Sequence, residues 1–390
     1  MEANTQPLSD IAYFIIDCKS HTWPFLGHLA HLKSQGISFD VYGAPGFKDV
    51  FGALPQNIFE FDELSWLKAS RLDFYRAMYE GFLKMIPAVE ALWEERKYKP
   101  KLIMADMLAT FALTLAQKHG IPLVTVYPTH FFPRFEGLRK ELPIKGDETL
   151  IPLQKQVEEK YGLIFQYFKD TCVEGDKNIC CLPRFVGEIF VPSDDNLVYL
   201  GPGFRDEDDT QVLSLDPEFL EGNDIIYVSL GTTIMNIEGF TFYEGIIEAL
   251  KDTEHKVLIS ATRGKAEELI AKGVPKNIIV KSWVPQLKVL EHTKLFISHV
   301  GSGSLVEALA KGVPIIAAPN YADQLINASV VETLNVGKWL KDKSPENIKK
   351  TIEEVLRSDS IKENCKKYKE MIDPKASKEA FVDIIKSFFK

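Results

Sequence analysis

The segment from Lys294 to Pro319, KLFISHVGSGSLVEALAKGVPIIAAP, decides the fold class of this chain. Its first residues, KLFISHV, form a continuous apolar run of the kind found in buried strands, and GSGS follows directly. A helical pattern then runs to Gly312, and a second apolar run, PIIAAP, comes after it. A strand, a helix and a second strand in this order predict a βαβ unit with two parallel strands in one sheet.

The same alternation of apolar runs and helical stretches covers the chain on both sides of this unit. The apolar runs of the first half are IAYFIID, ISFDVYGA, KLIMAD and PLVTVYP, and DIIYVSLGTT, HKVLISAT and NIIVKSWVP precede the unit in the second half. Short apolar strands separated by helices are typical of parallel sheets covered on both faces. We therefore predict an α/β protein with two Rossmann-like, doubly wound parallel-sheet domains that face each other across a cleft.

The alternation breaks at the acidic, irregular stretch RDEDDTQVLSLDPEFLEGND, which we interpret as a linker. We predict an N-terminal domain over residues 1–204, the linker over 205–222 and a C-terminal domain over 223–375. The last helix, over residues 376–390, is expected to pack back on the N-terminal domain. In doubly wound folds ligands bind beyond the carboxyl ends of the strands, so we expect the functional residues there.

Composition limits the classes of function. The chain has 390 residues, enough for two domains, and its net charge of −9 argues against nucleic acid as a partner. The five cysteines include no CxxC pair, which favours reduced thiols over a disulfide framework or a zinc site. The polar start, MEANTQPLSD, and the lack of an apolar run approaching about 20 residues predict a soluble, cytoplasmic protein without a transmembrane span.

The turn between the strand and the helix of the opening segment has the features of a diphosphate pocket. Glycines allow the backbone to approach a ligand, and the helix N-terminus offers free N–H groups and partial positive charge. Ser302 and Ser304 add hydroxyl donors, and His299 ends the strand beside them. The alternative is a tight turn in which Ser304 only caps the helix. A dinucleotide fingerprint is excluded, because Val306 occupies the sixth position from Gly301.

Residues around this turn extend the predicted pocket to a whole sugar nucleotide. Trp283, at the end of the preceding apolar run, is suited to stack on a base, and Glu307 to accept ribose hydroxyls. Asp323 and Gln324 open the next helix, where one carboxylate and one amide suit a row of sugar hydroxyls.

The pattern WVPQ…H…HVGSGSLVEAL…GVP…P…ADQ…NA resembles the donor-binding signature of family 1 nucleotide-sugar glycosyltransferases of the GT-B fold. The spacing from Trp283 to His299 is similar to that of the bacterial, macrolide-glycosyltransferase-like branch. One departure is Val300, where the family usually has a small residue. The resemblance implies a donor site made of Thr232, Thr233, Trp283, Val284, Gln286, His299, Gly301, Ser302, Gly303, Ser304, Glu307, Asp323 and Gln324.

The resemblance also assigns a catalytic base. The stretch SHTWP, with His21 as its histidine, resembles the family's GHxxP motif, in which the histidine is the general base, although Ser20 replaces the glycine. His28 and His31 are weaker alternatives inside the following helix. Asp106, at the end of KLIMAD, matches the aspartate that holds this histidine in the family. Its alternative role is to cap the helix that follows.

The expected function is an inverting transfer of a sugar, with UDP-glucose favoured, to a hydroxyl of a lipophilic small molecule. No metal or other cofactor is expected, because the DED stretch at residues 206–208 lies in the linker and not at a donor site. The alternatives are an epimerase or phosphorylase on the same fold and a catalytically impaired donor-binding module. We expect a monomer or weak homodimer. Aromatic residues that suit a flat acceptor, or ordinary core packing, are Phe74, Tyr75, Tyr79, Phe82, Phe131, Phe132 and Phe135.

Overall fold

The computed structural model describes residues 6–62, 71–135, 150–162, 172–204, 215, 217–222, 224–231, 239–320 and 323–390. The chain divides into two units. The first consists of Met1–Arg205 together with Pro374–Lys390, and the second of Asp206–Asp373. Most of the segment expected to be the linker lies outside the described residues.

The described part of the first unit is built on a parallel sheet of seven strands in the order β3-β2-β1-β4-β5-β6-β7. The strands are β1 (Ile11–Phe14), β2 (Asp40–Gly43), β3 (Asn57–Glu60), β4 (Leu102–Asp106), β5 (Leu123–Tyr127), β6 (Lys177–Cys180) and β7 (Leu197–Tyr199). The helices are α1 (Lys19–Thr22), α2 (Leu26–Ser34), α3 (Lys48–Phe51), α4 (Arg71–Glu95), α5 (Phe111–His119), α6 (Ile151–Tyr161) and α7 (Arg184–Gly187). Residues of β1, β4 and β5 are buried throughout, as expected for strands covered on both faces.

The second unit repeats this plan with six described strands in the order β10-β9-β8-β11-β12-β13, all parallel. The strands are β8 (Ile225–Ser229), β9 (Val257–Ser260), β10 (Ile278–Lys281), β11 (Thr293–Ser298), β12 (Ile315–Ala317) and β13 (Gly337–Trp339). The helices are α8 (Pro217–Leu220), α9 (Gly239–Leu250), α10 (Arg263–Ala271), α11 (Gln286–Glu291), α12 (Ser302–Lys311), α13 (Asp323–Thr333), α14 (Pro345–Arg357) and α15 (Asp359–Glu370). The quoted segment thus forms the βαβ unit β11-α12-β12, as predicted.

The last helix, α16 (Pro374–Ser387), follows the second unit in sequence but belongs to the first, where it packs on α2. Its Ser377 lies in a buried chain of hydrogen bonds. The Nε2 of His28 lies 2.8 Å from the hydroxyl oxygen of Ser377, and that hydroxyl donates to the carbonyl of Gly201 at 3.1 Å. Since the hydroxyl hydrogen is used at Gly201, the His28 ring donates to Ser377.

Both sheets reverse their strand order at one point, and His21, Asp106 and His299 lie at or just after the ends of the strands at these points. In the first unit the reversal lies between β1 and β4, which are paired from Ile11 with Leu102 to Phe14 with Ala105. In the second it lies between β8 and β11, where Ser229 is paired with Ser298. Such reversals open a crevice at the carboxyl edge of a doubly wound sheet, where ligands bind.

Candidate active site

In the first unit, the pairing of β1 with β4 brings together two predicted residues that are 85 positions apart. The Nδ1 of His21, on the short helix α1 after β1, lies 2.9 Å from Oδ2 of Asp106, the last residue of β4. The Asp106 side chain is 2% exposed and that of His21 is 21% exposed. Because the carboxylate accepts the Nδ1 hydrogen, the Nε2 of His21 is left to exchange a proton with a substrate.

Asp106 is fixed by the backbone of the turn that follows it and not by the helix after that turn. Its Oδ1 accepts a hydrogen bond from the backbone N–H of Leu108 at 2.9 Å. The N-cap of α5 is Thr110, so the alternative reading of Asp106 as the cap of that helix is wrong. One carboxylate oxygen is therefore held in place while the other orients the imidazole.

Cys18, which sequence reasoning did not select, shares this corner with His21. Its thiol lies 3.1 Å from the hydroxyl of Ser20, the residue that replaces the glycine of the family motif. Burial alone would lower the pKa of His21, but the charges of Cys18 and Asp106 and the hydrogen bond to Asp106 raise that pKa well above its ordinary value. The signal in the sequence that could have identified Cys18 is its position three residues before His21, since residues with this spacing lie close together at a helical turn.

The competing histidine, His28, is not suited to be the base. Its side chain is fully buried in α2 and donates to Ser377, and burial lowers its pKa to about 3. The imidazole is therefore neutral and out of reach of an acceptor molecule. His31, one turn further along α2, is half-buried.

In the second unit, His299 follows the last residue of β11 and lies between two glycines. A Cβ added at Gly231 would lie 2.6 Å from the Nε2 of His299, and one added at Gly301 would lie 2.8 Å from it. Only residues without a side chain leave room for the imidazole. Burial lowers the pKa of His299 to about 4, against a smaller opposite effect of a hydrogen bond to the Ser229 backbone. His299 is thus neutral near pH 7.

The N-terminus of α12 begins at the predicted phosphate turn, with Gly301 as its N-cap. Ser302 and Ser304 differ in the partners of their hydroxyls. The Ser302 hydroxyl donates to Oδ2 of Asp323 at 3.2 Å, whereas it was expected to be available to donate to a phosphate. The Ser304 oxygen accepts from Gln286 at 3.1 Å, which uses a lone pair and not its hydrogen. A Cβ added at Gly303 would have no described atom within 4 Å other than those of its chain neighbours and its own helix, so the space in front of this residue is open.

Gln286, the first residue of α11, ties this turn to the predicted ribose site. Its amide nitrogen also donates to Oε2 of Glu307 at 2.6 Å, and its amide oxygen accepts from the hydroxyl of Tyr227 at 3.1 Å. Glu307 lies in the second turn of α12. Its role toward a ribose stays a prediction, but Gln286 fixes its carboxylate.

Trp283 and Val284 lie between β10 and α11. The expectation that Trp283 ends a strand is wrong, because β10 ends at Lys281 and the tryptophan lies in the loop that follows. Its side chain is 59% exposed, whereas Val284 is buried. A large ring with this exposure, at the carboxyl end of a strand, is available for stacking.

Asp323 and Gln324 begin α13, as predicted. Gln324 is 5% exposed, and its amide oxygen accepts from the backbone N–H of Asn320 at 2.9 Å. The remaining predicted donor residues, Thr232 and Thr233, lie outside the described residues.

The aromatic residues of the first unit favour the core-packing alternative over an acceptor pocket. Four of those described are buried, and Phe135 is half-buried. The side chains of Phe74 and Tyr75 lie outside the described part, as does the DED stretch. The four buried residues are Tyr79, Phe82, Phe131 and Phe132.

The residues with described positions contain no group of three or more histidine, cysteine, aspartate or glutamate side chains that could hold a metal ion. Among the helices in these same ranges, none is long and apolar enough to cross a membrane.

Known proteins are similar to this chain over most of its length. The family model described as UDP-glucoronosyl and UDP-glucosyl transferase matches residues 218–375. The NDP-glycosyltransferase YjiC of Bacillus licheniformis is 30% identical over 358 residues, which are 85% of each chain. The YojK protein of Bacillus subtilis, named an uncharacterized UDP-glucosyltransferase, is 26% identical over 89% of each chain. The demethyllactenocin mycarosyltransferase of Streptomyces fradiae is 26% identical over 91% of this chain and 81% of its own.

Solved structures are similar to the whole chain. The glycotransferase of kitacinnamycin has a TM-score of 0.79 at 22% identity, covering 98% of this chain and 100% of that one. CalG4, the calicheamicin glycosyltransferase, has a TM-score of 0.76 at 18% identity, covering 98% and 99%. At identities this low the similarity shows the fold alone. The two structures confirm the predicted architecture of two Rossmann-like parallel-sheet domains.

Proposed function

Because this chain belongs to the UDP-glycosyltransferase family, with the GT-B fold, we propose that it transfers glucose from UDP-glucose, with inversion, to a hydroxyl group. Family membership establishes the coarser function, which is transfer of a sugar from a nucleotide sugar to a small-molecule acceptor. The sugar, the stereochemistry and the base are the new parts of the proposal.

The observation that carries the proposal is the hydrogen bond between His21 and Asp106. The Nε2 of His21 takes the proton from the acceptor hydroxyl as its oxygen attacks the anomeric carbon of the sugar. A carbon–oxygen bond to the acceptor forms while the bond to the diphosphate breaks, and UDP leaves with the electron pair. Asp106 orients the imidazole and stabilises the cation that forms.

The leaving diphosphate gains negative charge, and the second unit offers groups that stabilise it. We place it at the N-terminus of α12, where backbone N–H groups and the helix dipole favour an anion. His299 is neutral there, in keeping with its low pKa, so its one N–H would donate to the diphosphate in exchange for the Ser229 backbone. Thr232 and Thr233 are assigned to the same group by the family resemblance. The proposed reaction uses no metal ion and no further cofactor.

Glucose as the sugar is supported by two arguments. Asp323 and Gln324 offer a carboxylate and an amide at one end of α13, which suit vicinal sugar hydroxyls. One relative is named as a UDP-glucosyltransferase, while another is named for transfer of mycarose. A donor panel therefore has to include both UDP-linked and dTDP-linked sugars.

Acceptor-dependent release of UDP from UDP-glucose is the experiment that tests the function. We expect release with a lipophilic phenol or alcohol, a β-linked product by NMR, and unchanged rates in EDTA. UDP binding without release would instead indicate the impaired donor-binding module. An α-linked product or loss of activity in EDTA would contradict the proposed mechanism.

Replacing Trp283 by alanine is expected to raise the KM for UDP-glucose by about tenfold, since stacking of a base on an aromatic ring is worth roughly 1–3 kcal/mol. The ring is exposed, so the fold should not change. Trp283→Phe keeps an aromatic face and should retain most of the affinity. An unchanged KM in Trp283→Ala would show that the base binds elsewhere.

A further inference from the structure

Val300 has a backbone conformation that is unfavourable for its residue type. It lies between His299 and the N-cap Gly301, and its φ is 54°. Two other described residues with side chains have positive φ, Lys97 at 51° and Asn335 at 49°. Asparagine tolerates this region and lysine is not branched at Cβ, whereas valine is β-branched and rarely adopts it. Val300 is also fully buried.

Buried side chains hold both polar backbone groups of Val300 in this conformation. The amide nitrogen of Asn327, in α13, donates to the carbonyl of Val300 at 2.9 Å. The hydroxyl oxygen of Ser298 accepts from the N–H of Val300 at 3.0 Å. Asn327 and Ser298 are 0% exposed, so water does not compete for these bonds.

The second hydrogen of the same amide reaches the other half of the donor site. Asn327 Nδ2 also donates to the hydroxyl oxygen of Ser302 at 3.1 Å, and this hydroxyl donates to Asp323. One buried amide therefore contacts the turn proposed for the diphosphate and, through Ser302, the carboxylate proposed for the sugar.

We propose that Asn327 is a positioning residue that holds Val300 in the left-handed region and thereby pre-forms the turn from Gly301 to Ser304 for a diphosphate. Strained backbone persists at a functional site only where the surroundings fix it. This inference rests on the proposed function, because it takes the diphosphate to bind at that turn. The donor signature contains Asn327 as the asparagine of NA without giving it a role, and the inference supplies one, namely a clamp for a residue that departs from the family pattern.

Binding of UDP and uridine to four proteins tests this role, since uridine lacks the diphosphate. Asn327→Ala should bind UDP about tenfold more weakly than the wild type and leave uridine binding unchanged. Val300→Gly should bind UDP within about threefold of the wild type, because glycine adopts positive φ without strain. In the Val300→Gly background, Asn327→Ala should then cost about twofold or less.

A second asparagine in the same unit provides a matched control. The amide of Asn277 donates to the carbonyls of Leu250, Thr253 and His255, at the amino end of β10, which is the opposite edge of the sheet. Asn277→Ala should lower the melting temperature without changing the ratio of UDP to uridine affinity. This separates loss of a structural bond from loss of the phosphate turn.

The inference is overturned if Asn327→Ala binds UDP as the wild type does, if it loses UDP and uridine equally, or if Val300→Gly gives no rescue. If Asn327→Ala does not fold, Asn327→Leu, which is similar in volume and has no donor, is measured with the same criteria. Failure of the underlying function gives a different result, because the wild type itself would then bind UDP no better than uridine.

Discussion

Replacing His21 by alanine is expected to lower glucosyl transfer to an aliphatic alcohol by about 10²- to 10⁴-fold, the usual effect of losing a general base. The alcohol has to lose its proton as it attacks, and the Nε2 of His21 is the proposed proton acceptor. UDP-glucose binding should stay near normal, because the donor residues lie in the other unit. Steady-state rates with saturating UDP-glucose, and donor affinity by calorimetry, measure the two effects separately.

The matched control is His31→Ala, a half-buried histidine on the neighbouring helix, which should leave the rate unchanged. Acidic phenols that are already ionised near neutral pH should lose least in His21→Ala, because they have no proton to give up. Full activity of His21→Ala on an aliphatic alcohol would mean that another group is the base. His28 would not be that group, given its burial and its bond to Ser377.

Asp106→Asn tests the same pair through the pH profile. The raised pKa of His21 means that transfer should increase with pH as the imidazole loses its proton. Removing the Asp106 charge lowers that pKa, so the acid limb of kcat/KM should move to lower pH. The maximal rate should fall less than in His21→Ala, because the base remains but is less well oriented.

Replacing His299 by alanine is expected to cut turnover at saturating donor by about 10²-fold, comparable to removing one donor from an oxyanion hole. Charge grows on the diphosphate as the sugar bond breaks, so the interaction is stronger in the transition state than in the bound donor. Since the pKa of His299 is about 4, its contribution should not change between pH 6 and 9. The steady-state rate at saturating UDP-glucose measures kcat directly.

His255→Ala is a suitable control for this variant, because burial also lowers the pKa of His255 but the residue precedes β9, at the amino edge of the sheet. It should leave kcat unchanged. If His299→Ala raised only the KM for the donor, His299 would be a passive binding group, and the electrostatic part of the mechanism would be wrong.

The sequence was most informative about the residues that lie at the ends of strands and helices. The strand end at Asp106 and the helix end at Gly312 were readable, the first as an apolar run and the second as a glycine suited to a left-handed conformation. These features depend on local pattern, and the general rule for doubly wound sheets puts Asp106 at the sheet edge that His21 also occupies. That the two residues form a pair was implied by the family resemblance.

What the pattern could not decide concerns side-chain partners, which depend on packing between distant elements. The hydroxyl of Ser302 donates to Asp323. For the aromatic residues, the choice between core packing and an acceptor pocket had been left open, and the four that are buried favour packing. Nothing in the local pattern distinguishes a serine that bonds a carboxylate from one that bonds a phosphate. The positive φ of Val300 was unforeseen for the same reason, since a β-branched residue gives no sequence signal for it.

The hydrogen bond between His28 and Ser377 has a consequence for the order in which the two units fold during synthesis. The two residues are 349 positions apart, and the whole second unit is synthesised between them. In a nascent chain the second unit can therefore fold first. At that stage α16, which packs on α2 and contacts His28, has not yet been synthesised. The first unit, which carries the proposed base, includes α16, so a ribosome that stops before Pro374 leaves α2 without the helix that packs on it.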